Sequence, residues 1–194
     1  GAFERLRGDM PQLIDSRFGT TRGFLRLLLS YPQHWAGIDV LPPLDMGSVR
    51  RFVFVCRGNI SRSAYADAAA RRRGLAAASC GVSADQGREA DPAAIQIASQ
   101  GGLDLSGHLA TEAGRFKAEP GDLLLAMEVR QLAALRALPH LAQTPRLLLG
   151  SFAGTPHLHD PYGLSLAYYA ACFQRIDAAL DRLETLCPAA RLNG

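Results

Sequence analysis

The sequence predicts an α/β domain built on a four-stranded parallel sheet with helices on both faces. Two observations carry this. Beyond residue 48, four short apolar segments alternate with four segments of helical pattern, the arrangement that covers a parallel sheet on both sides. The last helical segment also carries one apolar stripe. Leu166, Tyr169, Phe173, Ile176, Leu180, Leu183 and Cys187 step by three and four residues, so one side of that helix faces a core.

The elements follow in order. A seam at Pro42-Pro43-Leu44-Asp45-Met46-Gly47-Ser48 divides an N-terminal helical extension, residues 1–47, from the domain, residues 48–194. The best helical stretch of the extension is 21–30, and its role stays open between an added layer, a lid and a dimer contact. Residues 51–55 read as a buried strand. Residues 63–73 read as an Ala-rich helix stopped by Gly74, with Arg71-Arg72-Arg73 set against its negative dipole end. Residues 76–82 form a second strand. Asp91-Pro92 opens a helix, Asp as N-cap and Pro at the first helical position, and Gly101-Gly102 stops it. Strands at 122–127 and 146–149 flank a helix at 128–138, and the last helix spans 165–186.

Composition narrows the function classes. The chain has 194 residues, enough for one domain with an appendage. Its 48% hydrophobic content excludes intrinsic disorder. With 21 basic and 18 acidic residues, the net charge of +3 gives no reason to expect a nucleic-acid partner. The most apolar cluster, Phe24-Leu25-Arg26-Leu27-Leu28-Leu29, is short and broken by an Arg, so no membrane insertion is expected. The first residues lack the layout of a signal peptide. The cysteines, Cys56, Cys80, Cys172 and Cys187, show neither metal-ligand spacing nor a disulfide framework. A reducing, cytoplasmic setting is expected, with Cys172 and Cys187 as structural thiols. No metal or other cofactor is expected: His157 and His159 beside Asp160 lack a further ligand cluster.

The chemistry concentrates after the first strand, in Val55-Cys56-Arg57-Gly58-Asn59-Ile60-Ser61-Arg62-Ser63. A tight loop with its N–H groups turned inward makes a nest for an anion, and the helix that follows points its positive end there. The backbone of Arg57, Gly58, Asn59, Ile60 and Ser61 would cradle a phosphate, and Arg62 would offer it a planar fork. Gly58 and Asn59 are residue types that accept positive φ. Cys56 then sits in a positive field that favours the thiolate, the nucleophilic form. Ser63 can donate its hydroxyl to that sulfur. A thiolate attacking a phosphate monoester needs a proton supplied to the leaving oxygen. Asp160, in a Pro-stiffened loop before the last helix, is the candidate acid and later the base.

This segment resembles the opening loop of the low-molecular-weight protein tyrosine phosphatases, Val-Cys-x-Gly-Asn-x-Cys-Arg-Ser. Further segments are similar in the same order: Ser79-Cys80-Gly81-Val82, Asp91-Pro92-Ala93-Ala94, Gly102-Leu103-Asp104-Leu105-Ser106-Gly107-His108, the strand ending in Met127-Glu128, and His159-Asp160-Pro161-Tyr162-Gly163. The resemblance covers residues 48–186. It implies that family's fold and hydrolysis of phosphate monoesters through a phospho-cysteine, with protein phosphotyrosine as substrate. It also implies supporting roles for His108, which would buttress the loop by hydrogen bonding, and for Tyr162. The expected partner is a phosphorylated protein or a small phosphate ester, with the oligomeric state open.

The sequence departs from that pattern in three places. Ser61 stands at the second loop Cys, so Cys56 lacks that disulfide partner. The stretch Ser83-Ala84-Asp85-Gln86-Gly87 holds no aromatic where the family has a wall residue. Thr111 stands where members often have Arg. Two other readings use the same scaffold. An arsenate reductase needs a thiol relay, and a phosphoprotein-binding module needs no turnover.

Overall fold

A computed structural model of the chain describes residues 44–155 and 157–192. Residues 1–43, which hold most of the expected helical extension, lie outside the described residues. The elements alternate as β1 (Arg51–Cys56), α1 (Arg62–Arg72), β2 (Ala77–Gly81), α2 (Pro92–Gln100), β3 (Asp122–Ala126), α3 (Val129–Arg136), β4 (Arg146–Leu148) and α4 (Leu166–Leu186). The sheet has the order β2-β1-β3-β4, and every pairing is parallel.

This order fixes where the helices go. From β1 the chain crosses through α1 to β2 on one side, and from β3 through α3 to β4 on the other. Crossovers between parallel strands are right-handed, so two that run in opposite directions along the sheet place their helices on opposite faces. The pleat of β1 serves both layers. Val53 and Val55 pack with Cys80, Leu124, Leu135 of α3 and Leu141, all buried. Phe52 and Phe54, also buried, point to the α1 face. There Tyr65 of α1 stacks on Phe173 of α4, ring centroids 3.8 Å apart, and Tyr169 meets the same ring edge-on at 6.0 Å.

Most helix ends carry the expected signals. The Asp91 carboxylate accepts a hydrogen bond from Ala94 N, with Pro92 in the first turn, and Ser165 accepts one from Tyr168 N. Gly74, at φ +74°, follows α1. Arg71-Arg72-Arg73 does more than answer a helix dipole. Arg71 Nε bonds Asp67 and its Nη2 bonds Ala77 O of β2; Arg72 bonds Gly101 O after α2; Arg73 bonds Asp177 and Asp181 of α4. The run stitches α1 to its neighbours. The stripe of α4 is buried from Tyr169 to Cys187, but Leu166 is 40% exposed. It lies in the first turn, which stays exposed together with Tyr162, Leu164 and Tyr168; core contact begins one turn later.

Neighbouring crossovers diverge between β1 and β3, which opens a crevice beyond the carboxyl ends of those strands. The loop from Cys56 to Ser61 leaves β1 into that crevice. Replacing Phe173 by Ala removes the ring that both Tyr65 and Tyr169 pack against. It should cost about 3–5 kcal/mol of unfolding free energy, read by urea denaturation. A loss well under 1 kcal/mol would show that the α1–α4 contact does not hold the domain together.

Candidate active site

Cys56 ends β1 and Arg62 begins α1. The loop between them turns back within residues 57–61, and one residue makes the turn possible. Asn59 has φ +53°, the only positive φ among described residues other than glycine. Asn tolerates that region because its side chain can bond locally. Gly58, expected to share this task, does not have a positive φ, and a Cβ there would meet only Ile60 at ordinary contact distance. The left-handed turn is completed at one position, which leaves Gly58 conformationally ordinary.

The loop's carbonyls are claimed by the surrounding domain. Cys56 O accepts from Val82 N and Arg57 O from Ser83 N, while Ile60 O accepts from Asp91 N. Asn59 O accepts from His108 Nε2 at 2.6 Å, which puts that ring's hydrogen on Nε2. In a trans peptide the next N–H points opposite to each carbonyl. The N–H groups of Arg57, Gly58, Ile60 and Ser61 are therefore directed to the concave side, as an anion nest requires.

The Asn59 side chain is fully buried and orders the surroundings of the Cys56 sulfur. Its Oδ1 accepts from Thr111 N at 2.8 Å, and its Nδ2 donates to Ser63 Oγ at 2.8 Å. Ser63 Oγ already accepts that hydrogen, so its own proton is free for Cys56 Sγ, 2.9 Å away. Asn59 N donates to the same sulfur at 3.2 Å. Two donors thus converge on the Cys56 sulfur.

Arg62 is 1% exposed. Its Nη1 donates to Glu128 Oε1 and to Leu158 O, both at 2.6 Å. Its Nη2 stands 2.9 Å from Asp160 Oδ2 in an ion pair, yet Nε and Nη2 make no hydrogen bond. One edge of the guanidinium is spent on the scaffold, and the Nε/Nη2 edge keeps its donors out of any hydrogen bond. Burial pulls its pKa down. The negative charges of Cys56, Asp160 and Glu128 overcome that and leave it raised.

Asp160 reaches this edge from the loop before α4. Its Oδ1 accepts from Tyr162 N at 3.2 Å, so Tyr162 supports it through the backbone while the ring lies exposed. Behind the loop, Tyr169 donates to Asp91 Oδ2 at 2.5 Å, tying α4 to the residue that holds Ile60. Burial first, and then that bond to Asp91, raise the pKa of Tyr169. The Ser61 hydroxyl is buried in the loop without a hydrogen bond.

Three contributors lay outside the sequence reading of the site. Glu128 is the N-cap of α3 and shares a capping box with Gln131. Its Oε2 also pairs with Arg130 Nε at 2.7 Å. Burial opposes its charge, but Arg62 and then Arg130 outweigh that and hold its carboxyl below the usual range. Gly81 is the second. A Cβ there would lie 2.6 Å from Arg57 O, 2.8 Å from Ala84 Cβ and 2.9 Å from Asn59 N, so only glycine lets β2 lie against the loop. Asp91 is the third, visible in sequence only as a helix cap. The other thiols stand apart: burial pushes Cys80 and Cys187 up to about 12 and Cys172 up to about 11. Cys80 pairs in register with Val55, on the face of the sheet away from Cys56.

The family pattern described as "Low molecular weight phosphotyrosine protein phosphatase" matches residues 51–192. The chain belongs to this family. Among relatives, the low molecular weight protein-tyrosine-phosphatase Wzb of Salmonella typhi is 32% identical over 129 residues, covering 66% of this chain and 87% of its own. Wzb of Escherichia coli strain K12 is 33% identical over 125 residues, 63% of this chain and 85% of its own. Two solved structures extend the likeness. Wzb from Escherichia coli K30 in complex with sulphate superposes with a TM-score of 0.61 at 28% identity, over 71% of this chain and 99% of that one. The YwlE arginine phosphatase from Geobacillus stearothermophilus gives 0.60 at 26%, over 71% and 92%. The chain is thus a member of a phosphatase family, with that family's four-stranded fold.

Two outcomes follow from these contacts. Gly81→Ala should displace the backbone at Arg57 and Asn59 and lower kcat/KM by roughly 10²-fold, the scale of an ångström-size misplacement. An unchanged rate would show that the loop does not depend on β2. For Glu128 the folded pKa is lowered, so its contribution to stability is complete above the ordinary Glu value of about 4.3. It is lost as pH falls through the lowered value. The stability gap between wild type and Glu128→Gln should be constant at neutral pH and shrink below about pH 4. Denaturation curves from pH 7 to pH 3 measure it, and a gap that widens on acidification would contradict the assignment.

Proposed function

We propose that this chain hydrolyses phosphate monoesters, protein phosphotyrosine foremost, through a covalent phospho-cysteine. The observation that carries the reading is the pairing of a doubly hydrogen-bonded Cys56 sulfur with the Nε/Nη2 edge of buried Arg62, which makes no hydrogen bond and faces Asp160 alone. Phosphoryl oxygens would occupy that edge and the N–H groups of Arg57, Gly58, Ile60 and Ser61. The sulfur attacks phosphorus, the S–P bond forms, and the P–O bond to the leaving group breaks.

In this mechanism the phosphate takes over the cation edge that Asp160 holds in the free enzyme. Asp160, released from that ion pair, takes up a proton from solvent and passes it to the leaving oxygen as the P–O bond breaks. In the second half the same carboxylate accepts a proton from water, whose oxygen attacks phosphorus as the S–P bond breaks. Ser63 steadies the departing sulfur by its hydroxyl. His108 acts one step back, by holding Asn59 O. The domain boundary near residue 48 belongs to this reading, with catalysis confined to the C-terminal part. A thiol relay of the arsenate-reductase kind has no support in the raised, buried Cys80, Cys172 and Cys187. Among the described residues no helix is long and apolar enough to cross a membrane, and the free thiols suit a reducing, cytoplasmic setting. Among the described residues no group of His, Cys, Asp or Glu is placed to hold a metal ion, and the proposed steps use none.

Cys56→Ser should abolish turnover of para-nitrophenyl phosphate and retain inorganic phosphate binding, whereas Arg62→Ala should lose both. Hydrolysis by Cys56→Ser above background would sink the covalent route. Peptides bearing phosphotyrosine and phosphoarginine then rank substrates, because one solved relative is an arginine phosphatase.

Asp160→Ala should slow phenyl and alkyl phosphates by roughly 10²–10⁴-fold and spare esters with very good leaving groups. Equal losses across a leaving-group series would assign Asp160 another role.

A further inference from the structure

Beside the Asp160 loop lies a small, open cleft lined by Leu158, His159, Tyr168, Ala171, Cys172 and Arg175. Its floor is one face of α4. Tyr168, Ala171, Cys172 and Arg175 follow the spacing that stacks side chains along a helix. Its opposite wall is the strand of loop that continues into Asp160. The cleft adjoins the phosphate site through shared residues: Leu158 O holds Arg62 Nη1, and Cys172 Sγ approaches His159 O at 3.9 Å.

The charges of this cleft are unbalanced. Arg175 is exposed and has no ion pair among the described residues. The acids of α4 nearest in sequence, Asp177 and Asp181, are bound to Arg73 on another face. The carboxylate nearest along the loop, Asp160, is held by Arg62. Cys172 contributes no negative charge, since burial pushes its thiol up to about 11. What remains is one free guanidinium, an exposed imidazole at His159 and the hydroxyl of Tyr168. That set suits an anion.

We propose that this cleft binds an acidic side chain flanking the phosphorylated residue of a protein substrate, with Arg175 as the specificity-determining residue. The inference rests on the phosphatase reading above and adds a substrate class to it: phosphoproteins whose modified residue lies in an acidic segment. The anionic group is a carboxylate or a second phosphoryl group on the same segment. It binds beside the reacting phosphate while the chain passes over the Asp160 loop.

The test uses the full chain and three phosphotyrosine peptides that differ only in the residues flanking the phosphotyrosine: Glu, Gln, or a second phosphotyrosine. Wild type should show kcat/KM about fivefold higher for the Glu peptide than for the Gln peptide, the upper end for a partly exposed ion pair. The ratio should fall towards one in 1 M salt and in Arg175→Gln. A higher rate for the doubly phosphorylated peptide than for the Glu peptide would identify the flanking anion as phosphoryl. Equal wild-type rates on the Glu and Gln peptides, with turnover intact, would overturn the cleft and leave the phosphatase reading standing. A ratio that survives Arg175→Gln but vanishes in Arg57→Gln would also overturn it, by moving recognition to the loop rim. Turnover of para-nitrophenyl phosphate with none of any peptide would strike down the phosphoprotein reading along with it.

Discussion

A guanidinium removed from water must be paired, and the site is arranged around that requirement. Arg62 is almost fully buried, and an unpaired charge at such a position would cost several kcal/mol. Its partners come from two separate places: Glu128 at the start of α3, and Leu158 and Asp160 in the segment between β4 and α4. One cation therefore fixes the first half of the chain against the second. The same pairing is incomplete by design of the geometry. Nη1 is saturated by the scaffold, whereas the other edge faces only the side of Asp160. The cost of burial is offset by fixed partners on one edge, and the other edge stays available for an exchangeable anion.

The nest beside it follows the complementary rule. A loop with inward N–H groups must send its carbonyls outward, and buried carbonyls need donors. Val82, Ser83, Asp91 and His108 provide them. These residues span three separate stretches of sequence, so the nine-residue motif is shaped less by its own content than by its surroundings. Asn59 is a partial exception: its backbone conformation and its Nδ2 bond to Ser63 are local, while its Oδ1 is held by Thr111 N from a distant segment.

Much of this was legible in the sequence. The alternation of strand and helix gave the sheet, and the Cys56-to-Ser63 segment marked the tight loop between β1 and α1, with Asn59 at its left-handed turn. The Asp91 cap and the α4 stripe followed from residue type and spacing. What escaped detection shares one physical character. Glu128 acts across the sheet on a residue 66 positions away, and no local pattern records that. Gly81 matters through the space it leaves for another strand's loop, which a β-strand sequence does not show. Leu166 fits the helical period but lies one turn outside the core, because periodicity fixes direction and says nothing about where the packing partner ends. The shared φ duty assigned to Gly58 fell to Asn59 alone, since one left-handed residue suffices for the reversal.

The many tethers on a single short loop bear on how the molecule loses its shape. Gly81 leaves room for the loop, Asp91, His108, Thr111 and Glu128 hold it or its first helical residue, and they belong to β2, the start of α2, the connection that follows it, and the start of α3. The loop's conformation is thus the sum of contacts that exist only when the whole sheet is assembled. Local opening of any of these segments releases the anion nest before the core melts. Loss of the site therefore reports local opening of the segments around it, ahead of global unfolding.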